Sequence, residues 1–244
     1  MRNFKLVLEY DGTDFRGFQR QPRLRTVQGV LEAALARVLA APTRAITAGR
    51  TDAGVHALAQ VVSFTTENPI PGARLALALN RVLPRDLVVK EIEEVSLSFH
   101  ARRSARQRRY RYTILNRARP AALVTRFSCQ IPEPLDLASM QEGADHLLGE
   151  HDFRAFQAAG SETGSTRRTL RLLRCLRASD FVFITLEADS FLYQMARIIV
   201  ASLLRVARGQ WDPYQLKRLL LSGDRRRAPA PAPPQGLCLV GVIY

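Results

Sequence analysis

The sequence predicts an α+β protein built from two tandem ferredoxin-like units, each with the element order β-α-β-β-α-β. Segments with strand-like alternation are separated by segments whose apolar residues recur at helical spacing, and this order occurs twice along the chain. The 244 residues, of which 47% are hydrophobic, are enough for one large core or two smaller ones. RNA-recognition modules use the same unit, although a fold alone does not establish a function.

The first unit is expected to occupy residues 1–100. Thr26 is the predicted N-cap of its first helix, because a threonine hydroxyl can accept hydrogen bonds from the first turn and apolar residues follow at helical spacing. In chain order, the predicted elements are a strand at 4–10, a helix from Thr26 that ends before Pro42, strands at 44–48 and 57–66, a helix at 72–83 and a strand at 86–95.

The second unit is expected to occupy residues 101–244. Asp136 is the predicted N-cap of its first helix. The linker at 222–236 is basic and then rich in proline and alanine, so it is expected to be extended or mobile. The predicted elements are a strand at 106–116, a helix at 136–149, strands at 166–178 and 180–188, a helix at about 191–208, a short helix after Pro213 and a strand at 237–244.

The positive charge is concentrated in one part of the chain. The formal net charge is +14, and nine arginines with no acidic residue lie within residues 95–132. Such a block is typical of an anion-binding surface, for which nucleic acid is the commonest partner. The alternative is a solvated face enriched in arginine by genome composition, although that bias would also spread arginine evenly.

Other features of the composition limit the class of protein. The most apolar late segment is interrupted by Arg197 and Arg205 before it could span a bilayer, so a soluble, cytoplasmic protein is expected. Cys129, Cys175 and Cys238 are odd in number and far apart in the chain, without a CxxC pair. Neither a disulfide framework nor a metal site is predicted.

The segment "AGRTDAGVHA" at 48–57 allows three interpretations. A phosphate-binding loop is disfavoured, because no GK[ST] follows and Asp52 would repel the phosphates. A tight turn needs only Asp52 and a positive φ at Gly54. In the third interpretation, Arg50 holds Asp52 ionised through a charge-assisted bond, which makes the carboxylate a usable nucleophile. His56 is a candidate base, although a lone histidine beside a strand is more often structural.

Two further groups of residues invite a functional interpretation. Alternation in "RRYRYTI" places Arg109 and Arg111 on one strand face and Tyr110 and Tyr112 on the other. Tyrosines within a basic block could stack on unpaired bases; the alternative, favoured for Tyr112, is that they belong to the core. Arg197 lies in an otherwise apolar helix, where it either extends to solvent or reaches a buried acid.

Eight motifs together resemble the TruA-type tRNA pseudouridine synthases, in order and over nearly the whole chain. The matching segments are "LEYDGTDFRGFQRQ", "TVQGVLEAAL", "AGRTDAGVHA", "FHARRSA", "RRYRYTI", "GEHDFRAF", "FLYQMARIIV" and "GLCLVGVIY". Phe18 stands where a tryptophan is usual, and Ala196 where a valine is usual. The resemblance implies the pseudouridine-synthase fold, with a central mixed or antiparallel sheet.

The resemblance also implies roles for individual residues. Asp52 matches the catalytic aspartate, and Tyr110 matches a tyrosine that stacks against the target base, with a role at the C5 proton left open. Arg50 matches an arginine that holds the RNA or the flipped nucleotide. Arg197 matches the arginine that pairs with the catalytic carboxylate, and Leu237 matches an apolar residue near the base.

The function implied is the conversion of uridine to pseudouridine at positions 38, 39 and 40 in the anticodon stem-loop of tRNA. This isomerisation requires no cofactor and no metal. The family implies a homodimer that binds tRNA, and whether Asp52 attacks C1′, attacks C6 or acts through a glycal is left open. The competing hypothesis is a non-catalytic RNA-binding protein with two RNA-recognition-like units. It explains the charge and the tyrosines but leaves Arg50, Asp52 and Arg197 without a purpose.

Overall fold

The computed structural model describes residues 1–160 and 164–244 of the chain. It confirms the predicted α+β class. The chain divides into two compact units: unit 1 comprises residues 1–106 and 239–244, and unit 2 comprises residues 107–238.

Ten strands and five α-helices are present in the described residues. The strands are β1 Arg2–Tyr10, β2 Ile46–Thr47, β3 His56–Thr66, β4 Leu87–Val95, β5 Gln107–Leu115, β6 Cys129–Gln130, β7 Gly149–Asp152, β8 Arg167–Ala178, β9 Phe181–Ala188 and β10 Leu237–Ile243. The helices are α1 Val27–Leu39, α2 Gly72–Val82, α3 Leu137–Asp145, α4 Met195–Ala207 and α5 Tyr214–Ser222.

Unit 1 follows the predicted β-α-β-β-α-β order. Its sheet has the strand order β4-β1-β3, with antiparallel pairing throughout, and β2 pairs with β3. The last strand, β10, lies beside β3. The packing units differ from the predicted domains, 1–100 and 101–244, at two places: residues 101–106 and residues 239–244 both pack with unit 1.

Helix α1 begins and ends as its sequence predicts. The Thr26 hydroxyl accepts a hydrogen bond from the Gly29 N–H at 3.2 Å, which confirms the N-cap. The helix ends at Leu39, and Ala40 takes a left-handed conformation two residues before Pro42. The buried side of the helix is apolar and consists of Val27, Leu31, Ala34, Leu35 and Leu39.

Strand β3 contains a bulge close to its first residue. Leu8 of β1 lies opposite Gln60, whereas Tyr10 lies opposite Ala57, so β3 accommodates one extra residue between these two pairs. A bulge of this kind changes the direction of nearby side chains and is common beside active sites. Because cross-strand partners share a face, Gln60 and Tyr10 both project to the buried face that Leu8 occupies.

Unit 2 has the strand order β5-β9-β8-β7, and β6 pairs with β5 in parallel. Asp136 caps α3 by accepting hydrogen bonds from the Ala138 and Ser139 N–H groups, as predicted. The predicted helix at 136–149 is too long, because α3 ends at Asp145 and Gly149 pairs with Leu170 of β8. Sequence periodicity did not reveal this pairing, since strand β7 is only four residues long.

Helix α4 starts later than predicted. It begins at Met195 instead of about residue 191, because Gln194 has a φ of 58° and interrupts a continuous helix there. The linker at 222–236 contains two short 3₁₀ turns, Arg225–Arg227 and Pro234–Gly236, so the prediction of extended or mobile chain is wrong at these turns. No helix among the described residues is long and apolar enough to cross a membrane.

Candidate functional site

Asp52 lies in the loop between β2 and β3, and the backbone of this loop forms a turn. The Val55 N–H donates a hydrogen bond to the Asp52 carbonyl at 3.2 Å, and Gly54 has a φ of 78°. The turn that the sequence predicted is therefore confirmed. Asp52 is partly exposed, and Arg50 is exposed on the same loop.

The segment that follows β1 supports this loop on both sides of Asp52. The Phe18 N–H donates to the Thr51 carbonyl at 3.0 Å, and the Gly54 N–H donates to the Phe15 carbonyl at 3.3 Å. Both phenylalanine side chains are buried, so the segment is anchored in the core of unit 1. The first motif of the sequence thus determines where the backbone of Asp52 lies.

Gly12 is required because its backbone passes very close to the same loop. A Cβ atom built at Gly12 would lie 2.0 Å from the carbonyl oxygen of Val55, a distance that real Cβ atoms essentially never show. The carbonyl oxygen of Val55 belongs to the backbone and not to a flexible side chain, so the backbone would have to shift to make room. Any side chain at position 12 would therefore displace the loop that carries Asp52.

Gly12→Ala is expected to destabilise the protein by about 3 kcal/mol, because overpacking a closely packed site forces a backbone shift. Urea unfolding of the purified variant would measure this loss. Gly164→Ala is the matched control, because a Cβ atom at Gly164 meets no heavy atom within 4 Å. Equal stabilities of the two variants would contradict the close approach of Gly12 and Val55.

His56 has a structural role in this arrangement. Its ring is 4% exposed, and its Nδ1 atom accepts a hydrogen bond from the Gly12 N–H at 2.9 Å. A nitrogen that accepts such a bond carries no proton, so Nδ1 cannot donate at the same time to Asp11 Oδ1, which lies 3.3 Å away. The direction of the backbone N–H is set by the chain, which favours the Gly12 bond. The geometry supports the structural interpretation of His56.

In unit 2, the alternation predicted for β5 is confirmed. Arg109 and Arg111 are exposed, whereas Tyr110 and Tyr112 are buried on the opposite face. The Tyr110 ring meets the Phe191 ring edge to face, with centroids 5.0 Å apart and an interplanar angle of 86°. Phe191 thus helps to set the orientation of Tyr110.

Tyr112 supports the segment that leads into β10. It is fully buried, and its hydroxyl donates a hydrogen bond to the Pro233 carbonyl at 2.9 Å. Burial raises the pKa of the Tyr112 hydroxyl, so this group keeps its proton at any ordinary pH. The sequence interpretation of Tyr112 as a core residue is confirmed. Its hydrogen bond to Pro233 was not predicted from the sequence.

Arg197 contacts the segment before β10 at Ala232, one residue before the Pro233 that Tyr112 contacts. Its Nε donates to the Ala232 carbonyl at 2.7 Å, and the Ala232 N–H donates to the Arg197 carbonyl at 3.1 Å. The side chain is partly buried near the start of α4. Leu237, the first residue of β10, is 4% exposed. Within unit 2, Arg197 therefore helps to hold the short segment that ends at Leu237.

The candidate residues are divided between the two units. Arg50 and Asp52 share one loop in unit 1, and Tyr110, Arg197 and Leu237 belong to unit 2. Residues 232–233 were missed by the sequence analysis, because backbone acceptors leave no signal in residue type. In the part of the chain that the structure describes, no group of three or more His, Cys, Asp or Glu side chains is suited to hold a metal ion.

The charge of the basic block is partly compensated within unit 2. Arg109 Nε donates to Glu187 Oε2 at 2.6 Å across β5 and β9, and Arg117 Nη1 lies 3.0 Å from Asp180 Oδ2. Arg108 is buried and donates to the Asp189 carbonyl at 2.6 Å. At least these three of the nine arginines have internal partners, and for Arg109 and Arg117 the partner is a carboxylate that offsets the positive charge.

The chain is similar to known proteins over most of its length. A family model described as tRNA pseudouridine synthase matches residues 6–102 and 144–244. The protein "tRNA pseudouridine synthase A" of Thermoanaerobacter sp. (strain X514) is 45% identical over 244 residues, which cover the full length of both chains. The protein of the same description from Caldicellulosiruptor saccharolyticus is 43% identical over 246 aligned positions. The protein "tRNA pseudouridine synthase A 2" of Clostridium perfringens is 42% identical over 244 residues. Each of these alignments also covers the full length of this chain and of the relative.

Proposed function

The chain belongs to the tRNA pseudouridine synthase family, and we propose that it converts uridine to pseudouridine at positions 38, 39 and 40 of the anticodon stem-loop of tRNA. The observation that carries this proposal is the partly exposed Asp52 on a turn that backbone hydrogen bonds hold on both sides. A carboxylate held in this way is preorganised for chemistry and reaches solvent, where a substrate can meet it.

The reaction is an isomerisation in which no atom is gained or lost. The N1–C1′ glycosidic bond breaks, the uracil turns, and its C5 atom forms a new bond to C1′. C5 loses one proton and N1 takes up one proton, either directly or by exchange with solvent. The target nucleotide must leave its stack before C1′ becomes accessible. The protein therefore needs a carboxylate at the reacting sugar and surfaces that hold an extruded base.

Asp52 is the proposed catalytic residue. Its carboxylate attacks C1′ or C6 or removes a sugar proton to form a glycal, and each of these routes requires the ionised form. The pairing of Arg197 with Asp52, which the family resemblance implies, would favour that ionised form. This pairing stays a prediction.

Tyr110 and Leu237 are the proposed contacts of the extruded base. An aromatic ring stacks on any base, and a buried leucine offers an apolar surface to the other side of it. The edge-to-face contact with Phe191 restricts the Tyr110 ring, which supports a stacking role. Arg50, exposed on the Asp52 loop, is the proposed contact of the RNA backbone or of the flipped nucleotide.

We further propose that the protein acts as a homodimer in the cytoplasm. An anticodon arm is long compared with a single small basic patch, so a second subunit would extend the surface that binds the tRNA backbone. Exposed arginines of the basic block, among them Arg102, Arg103 and Arg106, are suited to phosphate contacts. Sedimentation equilibrium would measure the oligomeric state.

The decisive experiment is to incubate the purified protein with an unmodified tRNA transcript and to map pseudouridine by position. Pseudouridine at positions 38, 39 or 40 of transcripts that carry uridine there is the expected result. Tight tRNA binding without any pseudouridine would instead support the non-catalytic RNA-binding hypothesis. Pseudouridine confined to another arm of the tRNA would contradict the proposed target.

A further inference from the structure

Three polar side chains are buried together beside residues 49–51, which directly precede Asp52. Tyr10, Thr51 and Gln60 are 3%, 6% and 0% exposed. The Tyr10 and Thr51 hydroxyl oxygens lie 2.8 Å apart, within hydrogen-bonding distance. The Gln60 side-chain amide donates to the Gly49 carbonyl at 2.8 Å and to the Tyr10 hydroxyl at 3.3 Å. We name these three residues the Tyr10 triad.

The bulge in β3 contributes to this arrangement. Gln60 lies opposite Leu8, two residues from Tyr10, and all three side chains share one face of the sheet. That face is otherwise apolar along β1, with Phe4, Leu6 and Leu8 fully buried. Burying polar groups in such surroundings is unfavourable unless they are hydrogen-bonded. A well-packed apolar core would serve stability equally well, so stability alone does not explain the triad.

The hydrogen bonds of the triad hold residues that directly precede Asp52 in the chain. Gln60 holds the Gly49 carbonyl, and Tyr10 contacts the Thr51 hydroxyl, directly before Asp52 in the chain. The Phe18 N–H already fixes the Thr51 carbonyl at 3.0 Å. Together these contacts hold both the backbone and the side chain of Thr51, which fixes the chain position from which Asp52 projects.

We infer that the Tyr10 triad positions Asp52 for the isomerisation and does not itself touch the tRNA. This inference rests on the proposed function of Asp52. Loss of the Tyr10 hydroxyl would leave Thr51 with fewer constraints and would let the carboxylate sample positions away from the reacting sugar. Displacement of a reacting group by about 1 Å lowers rates on the order of 100-fold.

Tyr10→Phe tests the inference, with single-turnover rates measured under saturating enzyme and with tRNA affinity measured separately. The matched control is Tyr244→Phe, because the Tyr244 hydroxyl also belongs to unit 1 and donates to the Ala101 carbonyl at 2.9 Å. Each variant loses one hydroxyl, and Tm is expected to fall in both, more in Tyr10→Phe because the Tyr10 hydroxyl contacts both Thr51 and Gln60. Only Tyr10→Phe is expected to slow the reaction, by about 10- to 100-fold, with unchanged tRNA affinity.

Two substitutions at Thr51 separate positioning from packing. Thr51→Ser keeps the hydroxyl and is expected to retain most of the rate, whereas Thr51→Val keeps the shape and is expected to lose as much as Tyr10→Phe. The double variant of Tyr10→Phe and Thr51→Val is expected to react no more slowly than either single variant, because both remove the same contact.

Two outcomes would overturn the inference. A Tyr10→Phe rate equal to that of Tyr244→Phe would show that the triad serves stability alone. Additive rate losses in the double variant would show that the two hydroxyls act separately. If the wild-type protein forms no pseudouridine at all, the proposed function itself fails, and this result is distinguishable because it precedes any comparison of variants.

Discussion

Asp52→Asn is expected to abolish pseudouridine formation while the fold and the affinity for tRNA remain unchanged. The amide has the same shape as the carboxylate but is a poor nucleophile and base, so every proposed route at C1′, C6 or the sugar is lost. Removal of a catalytic carboxylate lowers rates by about four orders of magnitude. Single-turnover assays on an unmodified tRNA transcript would measure this loss.

Glu67→Gln is the matched control for the change in charge. Glu67 is exposed in unit 1 and also loses one negative charge, so any general effect of charge on tRNA affinity would appear in both variants. The control is expected to react at the wild-type rate. Substantial turnover by Asp52→Asn would contradict the catalytic assignment of Asp52.

Tyr110→Ala is expected to lower the rate far more than Tyr110→Phe. Stacking of a base on an aromatic ring contributes about 1–3 kcal/mol, which corresponds to a rate loss of up to about 100-fold when the ring is removed. Phenylalanine keeps the ring and also its edge-to-face contact with Phe191, whose centroid lies 5.0 Å away. The comparison uses single-turnover rates, with thermal unfolding to exclude misfolded protein.

Tyr214→Ala is the control for loss of an aromatic ring from unit 2. Tyr214 is 44% exposed at the start of α5, and its removal is expected to leave the rate unchanged. Equal losses in Tyr110→Phe and Tyr110→Ala would argue against stacking as the main contribution. That result would instead identify the hydroxyl as the group that matters, in agreement with a proton carrier.

The local patterns of the sequence predicted much of the site. The turn at Asp52 and Gly54 was recognised from residue type alone, because aspartate and glycine at these positions satisfy a tight turn. The shared face of Tyr110 and Tyr112 followed from the two-residue period of a strand. The catalytic assignment of Asp52 came from family resemblance and stays a prediction.

His56 shows where sequence patterns were insufficient. A histidine beside a loop that carries an aspartate is a reasonable candidate base, and no pattern within the loop excludes it. Its acceptor bond from the Gly12 N–H joins residues 44 positions apart, so only the folded chain reveals it. The same applies to the charge of β5, since Arg109 meets Glu187 across a separation of 78 positions.

The sequence by itself determined the α+β class, the N-caps Thr26 and Asp136, and the turn that presents Asp52, because these depend on residues that are neighbours in the chain. The tertiary structure alone decided which atoms hold those residues in place: Gly12 against Val55, and Tyr112 against Pro233, 121 positions away. It also decided that residues 239–244 pack with unit 1. The physical reason is that periodicity specifies which face of an element is buried, whereas close packing and long-range hydrogen bonds specify what lies against that face.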